Sequence, residues 1–96
     1  MTLEDRPADY PTVDALALDA NAVAGLLQEV FGSEMTLVVG ECAHCGNTAE
    51  IGTLRAYIGL GVVLRCSVCH EVVIRIATMP DGRHRVDIRG AAFLSL

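Results

Sequence analysis

Four cysteines arranged as two short pairs are the residues of this 96-residue chain best suited to do chemistry. The pairs are Cys42 with Cys45 and Cys66 with Cys69, and residues 46–65 separate them, which gives the pattern C-x2-C-x20-C-x2-C. A two-residue spacing lets both sulfurs of a pair turn toward one centre, and two such turns at the ends of adjacent hairpins complete a tetrahedral four-sulfur site. The spacing therefore predicts one structural Zn²⁺ ion with Cys42, Cys45, Cys66 and Cys69 as its ligands.

Two other metal groups use similar patterns. The stretch Cys66-Ser67-Val68-Cys69-His70 matches the motif that attaches a c-type haem. Haem attachment normally takes place outside the cytoplasm, however, and it would leave the first cysteine pair without a role. Iron bound as in rubredoxin has the same four-sulfur geometry, but such sites usually lie in aromatic-rich cores, and this chain has only two Tyr and two Phe. An iron site for electron transfer stays open as the alternative to zinc.

The sequence gives no sign of a catalytic centre. A dithiol redox pair would need a helix N-terminus beside one cysteine, whereas both pairs lie between strand-like stretches. Structural zinc is closed at four ligands, so His44 is expected to face solvent rather than replace a cysteine. We expect His70 to be exposed and His84, on the apolar face of its strand, to be an ordinary hydrogen-bonded histidine. No cluster of histidines and carboxylates supplies a general base, so we predict that the protein is not an enzyme.

A helix and several short strands must position the cysteines. Five apolar residues recur at helical spacing and predict a helix of about three turns, with Asp19 as its N-cap and Gly32 as its stop. They are Val23, Leu26, Leu27, Val30 and Phe31. Strands are predicted over 35–41, 53–59, 61–66, 71–78 and 84–89, with a turn over 79–82 and an apolar tail, 91–96, that docks on the body. The predicted fold class is α+β, with the N-terminal helix packed on a small antiparallel zinc-ribbon-like sheet.

Length and composition indicate one small domain. A chain of this size buries only about 60–65 % of its unfolded surface, and with 52 % hydrophobic but 4 % aromatic residues its core must be thin and aliphatic. A metal would reinforce such a core. We predict a flexible acidic leader over residues 1–15 and the domain over residues 16–96. No secretion signal and no apolar run of membrane-spanning length is visible, so we expect a cytoplasmic protein, in which thiols stay reduced.

The charge is unevenly distributed over a net of −5. Residues 1–41 hold eight acids against one arginine, whereas residues 42–96 hold six arginines against four acids. Arg75, Arg85 and Arg89 share one face of the last hairpin and could contact phosphates or an acidic protein. Phosphate binding depends on net positive charge, which disfavours nucleic acid or a place in the transcription machinery. We expect a protein partner or self-association and see no small-molecule substrate.

Several motifs carry a resemblance to a known family. They are LDANAVAGLLQEVFG (18–32), ECAHCG (41–46), VLRCSVC (63–69) and VDIRGAAFLSL (86–96). Over about residues 16–96 the chain resembles a family of small, uncharacterised actinobacterial zinc-ribbon proteins, catalogued as a domain of unknown function. The resemblance implies a zinc-ribbon fold with the four cysteines as ligands and implies no activity. Members commonly have Pro after the third cysteine, where this chain has Ser67.

Overall fold

The computed structural model describes residues 18–96, so the leader predicted over residues 1–15 lies outside the described residues. The described part contains one α-helix, two 3₁₀ turns and eight strands, which confirms the α+β class. The helix, α1, spans Ala24–Phe31, and the 3₁₀ turns span Ala20–Val23 and Ile51–Thr53. The strands are β1 (Leu18–Asp19), β2 (Val39–Cys42), β3 (Thr48–Glu50), β4 (Arg55–Ile58), β5 (Gly61–Arg65), β6 (Val72–Thr78), β7 (His84–Asp87) and β8 (Ala91–Ser95). No helix within residues 18–96 has the length and apolar character needed to cross a membrane.

The strands form two antiparallel sheets, where the sequence predicted one. The larger sheet has five strands in the order β1-β4-β5-β6-β7, and the smaller has three in the order β3-β2-β8. The apolar tail docks as predicted, because β8 pairs with β2 along the edge of the smaller sheet. The predicted turn over residues 79–82 is also present, with the N–H of Gly82 donating to the carbonyl oxygen of Met79 at 2.9 Å.

The helix begins later than the apolar pattern predicts. Ala20–Val23 form a 3₁₀ turn, and the α-helix begins only at Ala24. Asp19 occupies the N-cap position of this turn, as predicted, but its side chain makes no capping hydrogen bond. Its backbone is paired with that of Arg55 between β1 and β4. Strand pairing thus holds the residues before the helix in an extended conformation. The predicted stop is confirmed, because Gly32 has the left-handed backbone of a C-cap, with a φ of 78°.

The strand predicted over residues 35–41 forms only in its second half. Residues 35–38 make a turn in which the N–H of Val38 donates to the carbonyl oxygen of Met35 at 3.0 Å. The Met35 side chain is 1 % exposed, and the carboxylate of Glu34 accepts a 2.9 Å hydrogen bond from the N–H of Thr36. Burial of Met35 together with this local carboxylate bond competes with strand pairing, so β2 begins at Val39.

One aliphatic core joins the helix, both sheets and two of the cysteines. Its members are Ala20, Val23, Leu27, Met35, Cys42, Ile51, Leu54, Ala56, Val62, Leu64, Cys66, Val73, Ile74 and Ile76. Among residues 18–96 no buried member of the core is aromatic, in line with the composition, although the partly buried Phe31 packs against it. The first cysteine pair lies in the turn between β2 and β3, and the second in the turn between β5 and β6. Each sheet therefore contributes one pair to the space between them.

Candidate metal centre

The two cysteine turns repeat the same backbone hydrogen bonds. In the first, the N–H of Cys42 donates to the carbonyl oxygen of Asn47, and the N–H of Gly46 donates to that of Cys42, both at 2.9 Å. In the second, the N–H of Cys66 donates to the carbonyl oxygen of Glu71, and the N–H of His70 donates to the carbonyl oxygen of Cys66, again at 2.9 Å. Each turn is thus closed twice by its own backbone, which sets the directions in which its cysteine side chains leave the chain.

Backbone N–H groups also point at the sulfurs in both turns. The N–H of His44 donates to Sγ of Cys42 and the N–H of Val68 to Sγ of Cys66, each at 3.4 Å. Hydrogen bonds from backbone N–H groups stabilise thiolate over thiol, because they favour the charged form. Sequence analysis did not name these donors individually, although they follow from the two-residue spacing repeated in both pairs.

The structure brings together all four cysteines that the sequence singled out. Sγ of Cys42 lies 3.6 Å from Sγ of Cys69, and Sγ of Cys45 lies 3.7 Å from Sγ of Cys66. All four sulfurs lie within 4.8 Å of one another and are free thiols, since a disulfide needs about 2.05 Å. A metal–sulfur bond of about 2.3 Å gives a regular tetrahedron an edge of about 3.8 Å. The cluster could therefore hold one metal ion.

The pKa values of Cys66 and Cys69 are shifted in opposite directions. Burial alone would raise the pKa of the Cys66 thiol. Hydrogen bonds outweigh this effect and lower the pKa to about 7; they come from the N–H groups of Cys69 and Val68 and from the thiol of Cys45. For Cys69 the N–H of Glu71 acts to lower the pKa, yet desolvation and the three neighbouring thiols raise it to about 12. Like charges this close cannot all ionise unless a cation shares the site. The cluster thus has the electrostatics of a cation site.

The histidines stay outside this cluster. His44 is exposed, with its Nε2 3.8 Å from an equally exposed Glu71 carboxylate, as predicted for a solvent-facing residue. His70 is also exposed and has a φ of 67°, the left-handed conformation that Gly46 adopts in the first turn with a φ of 76°. Haem attachment at Cys66–His70 conflicts with the geometry of the sulfur cluster, because both sulfurs of that motif lie within 4 Å of a sulfur from the first pair.

The third histidine ties the helix to the larger sheet. Nε2 of His84 lies 2.6 Å from the Glu29 carboxylate on α1, and Nδ1 lies 3.0 Å from the hydroxyl of Thr78 on β6. The His84 side chain is only 17 % exposed. Both ring nitrogens are therefore bonded, which confirms the prediction of an ordinary structural histidine.

Comparison with known proteins identifies a family for this chain. No curated protein and no solved structure matches the chain. The model of one family, described as "Family of unknown function (DUF6510)", matches residues 12–96, which is most of the chain and includes both cysteine pairs. The motifs that carried the resemblance lie inside this range. The chain therefore belongs to the family of unknown function DUF6510.

Proposed function

We propose that the protein is a non-enzymatic interaction module whose fold is held together by one structural Zn²⁺ ion. The proposed ligands are Cys42, Cys45, Cys66 and Cys69. The observation that carries the proposal is the pairing of sulfurs between the two turns, at 3.6 and 3.7 Å, close to the edge length of a zinc–thiolate tetrahedron. An all-thiolate donor set suits a soft or borderline ion such as zinc. A reducing compartment such as the cytoplasm would keep the four thiols reduced and able to bind it.

A structural role is supported by where the cluster lies. Cys42 and Cys66 are 5 % and 1 % exposed and belong to the core, and the two turns come from different sheets. An ion bound here would join the β2–β3 hairpin to the β5–β6 hairpin. Because such a site hardly exists in the unfolded chain, the free energy of metal binding would contribute directly to folding.

The ligand count supports the absence of catalysis. Four protein sulfurs complete the tetrahedron, and an ion held this way has no open position for water or substrate. His44 and Glu71, beside the cluster, are both more than half exposed, so neither is held as a buried general base would be. We therefore assign the metal to stability and place the interaction elsewhere on the surface.

Iron is the competing ion, and two measurements on the purified protein separate it from zinc. Elemental analysis is expected to give one zinc per chain, and the visible spectrum is expected to be featureless. A red protein with about one iron per chain would replace this proposal with an electron-transfer site. Metal far below one equivalent, with unchanged thermal unfolding after dialysis against a strong chelator, would overturn the structural metal altogether.

A further inference from the structure

The outward face of the five-stranded sheet carries most of the arginines in the described chain. Side chains alternate along each strand, so the neighbours of the buried Ala56, Leu64 and Ile76 point away from the core. We call this surface the arginine face. From β4 to β7 it consists of Arg55, Tyr57, Val63, Arg65, Arg75, Ala77, Arg85 and Asp87.

Three of these arginines form a diagonal row. Arg75 on β6 lies directly opposite Val63 on β5 and Asp87 on β7. Arg65 is two residues beyond Val63, and Arg85 is two residues before Asp87. Because β5 and β7 run in the same direction, Arg65, Arg75 and Arg85 step diagonally across three strands. A register shift between Leu64 and Arg65 places Arg65 opposite Val72. Diagonal neighbours on one face of a sheet are about 7–8 Å apart.

The row is largely exposed and has one acid beside it. Among residues 18–96, the side chains of Arg75 and Arg85 make no hydrogen bond or ion pair. Arg89 holds the Asp87 carboxylate at 2.6 Å, and Arg75, directly opposite Asp87, adds an electrostatic attraction to the same carboxylate. Arg65 donates a 2.8 Å bond to the carbonyl oxygen of His70, which fixes its position but leaves other N–H groups of its guanidinium for a ligand. Within residues 18–96 the diagonal row therefore offers guanidinium N–H groups to a ligand, and Asp87 offsets part of its charge.

An apolar groove borders the row at the end of the β4–β5 hairpin. It has a volume of about 430 Å³, and Arg75 forms part of its wall. Its other side chains include Tyr57, Val63 and Ala77. Leu60 at the hairpin end is fully exposed, at 106 %. Apolar surface next to an exposed guanidinium group is the composition of a protein-binding patch, since aromatic residues and arginine are enriched there.

We propose that the arginine face binds an extended acidic segment of another protein, with carboxylates at alternate positions and an apolar side chain in the groove. Alternate residues of an extended chain are about 6.6–6.8 Å apart, which matches the diagonal spacing of the row. Each carboxylate would accept hydrogen bonds from one guanidinium, in a fork geometry that arginine provides and lysine does not. The proposal names the partner chemistry of the interaction module and so rests on that proposed function.

Single-stranded nucleic acid is the other polyanion to consider, and the surface fits it less well. Non-specific binding of single strands relies on aromatic side chains on which successive bases stack. The arginine face has one ring, that of Tyr57, and the Arg65 guanidinium lies 5.7 Å from its centre. The net charge of −5 also opposes a long polyanion more than a short acidic segment.

Fluorescence anisotropy with synthetic peptides tests the proposal on the full-length, metal-loaded chain. The probe is a labelled peptide with glutamates at three alternate positions and a leucine beside them. Its control is an isomer of identical composition in which the glutamates are consecutive. Arg75→Glu and Arg85→Glu are each expected to weaken binding of the probe by at least about tenfold. Arg83→Glu makes the same change in charge on the β6–β7 turn, where Arg83 is paired with Asp81, and is expected to weaken it less than about threefold.

Each result has a defined meaning. Tighter binding of the alternating probe than of its isomer, lost on substitution at Arg75 or Arg85 but not at Arg83, supports the proposal. Equal binding of both peptides, equal loss for all three variants, or tighter binding of an oligothymidine would overturn it, as would no binding at all. Metal content is measured on every sample, so a chain that contains zinc but binds no peptide refutes this inference alone, whereas a chain without zinc refutes the proposed metal site.

Discussion

Substituting Cys45 and Cys66 separately with serine distinguishes the loss of a metal ligand from the loss of a buried apolar atom. Both changes remove one proposed ligand and leave a side chain of similar size. Cys45 is exposed, so Cys45→Ser removes a sulfur at almost no cost in packing. Cys66 is 1 % exposed, and Cys66→Ser also places a hydroxyl in the core, which costs about 1–3 kcal/mol if it is left without a partner.

The expected effect of losing the ion is larger than the packing effect. At about 0.05–0.15 kcal/mol per residue, a domain of this size is stable by roughly 5–14 kcal/mol. Structural zinc sites contribute apparent binding free energies of about 10–16 kcal/mol, which is comparable to that entire stability. If the four-sulfur site holds the fold together, both variants are therefore expected to be largely unfolded at 25 °C, the exposed Cys45 variant included.

Thermal unfolding followed by circular dichroism, with elemental analysis of each sample, measures both effects. Ser67→Ala, an exposed position between the third and fourth cysteines, is the control and is expected to retain its metal and its melting temperature. One kcal/mol corresponds to about 4–8 °C in melting temperature for a domain of this size. The result that would refute this reasoning is a Cys45→Ser variant that melts within a few degrees of the native protein, beside a Cys66→Ser variant that loses only about 1–3 kcal/mol, or about 5–20 °C. In that case only packing is involved, and the metal does not hold the fold together.

Three further predictions concern single positions. Gly90→Ala would place a Cβ atom against the backbone of β6 and is expected to lower the free energy of chemical unfolding by at least about 2 kcal/mol. Gly25→Ala, on the exposed side of α1 with nothing within 4 Å, is expected to raise it by up to about 1 kcal/mol. Equal effects of the two substitutions would contradict the packing. His70→Gly should stabilise the metal-loaded protein by about 1 kcal/mol, because it relieves a left-handed residue, and a loss of stability would show that the imidazole makes a contact of its own. The side-chain hydrogen bond from Arg89 lowers the pKa of Asp87 to about 2, so the stability that Asp87 contributes above pH about 4 is lost between about pH 4 and 2. Arg89→Gln should raise that pKa in an NMR titration, and an unchanged value would rule out the bond as its cause.

The cysteine cluster could be predicted from sequence because its geometry is local. Each pair is closed by bonds that reach only five residues, from Cys42 to Asn47 and from Cys66 to Glu71. Gly46, directly after the first pair, has a left-handed backbone, which glycine adopts without strain. The sequence therefore contained nearly all the information needed to place the sulfurs, apart from the meeting of the two turns.

The division into two sheets could not be predicted, because it depends on contacts between residues far apart in the chain. β2 pairs with β8, about fifty residues later, so neither strand pattern alone reveals its partner. The tight approach of Gly90 to β6 is likewise visible only once the chain has folded. Met35 is a further example. The sequence looks strand-like from residue 35, but Met35 is buried in the core and the strand begins only at Val39.

The proposed metal site and the arginine face share the hairpin formed by β5 and β6. Arg65 is the last residue of β5, directly before Cys66, and its guanidinium donates to the carbonyl oxygen of His70 inside the second cysteine turn. Arg75 lies on β6, the strand that leaves that turn. The order of this turn therefore sets the separation of two arginines in the diagonal row. An ion that holds the turn would also prepare the row for its ligand, so removing the metal should weaken peptide binding even under conditions where the rest of the larger sheet stays folded.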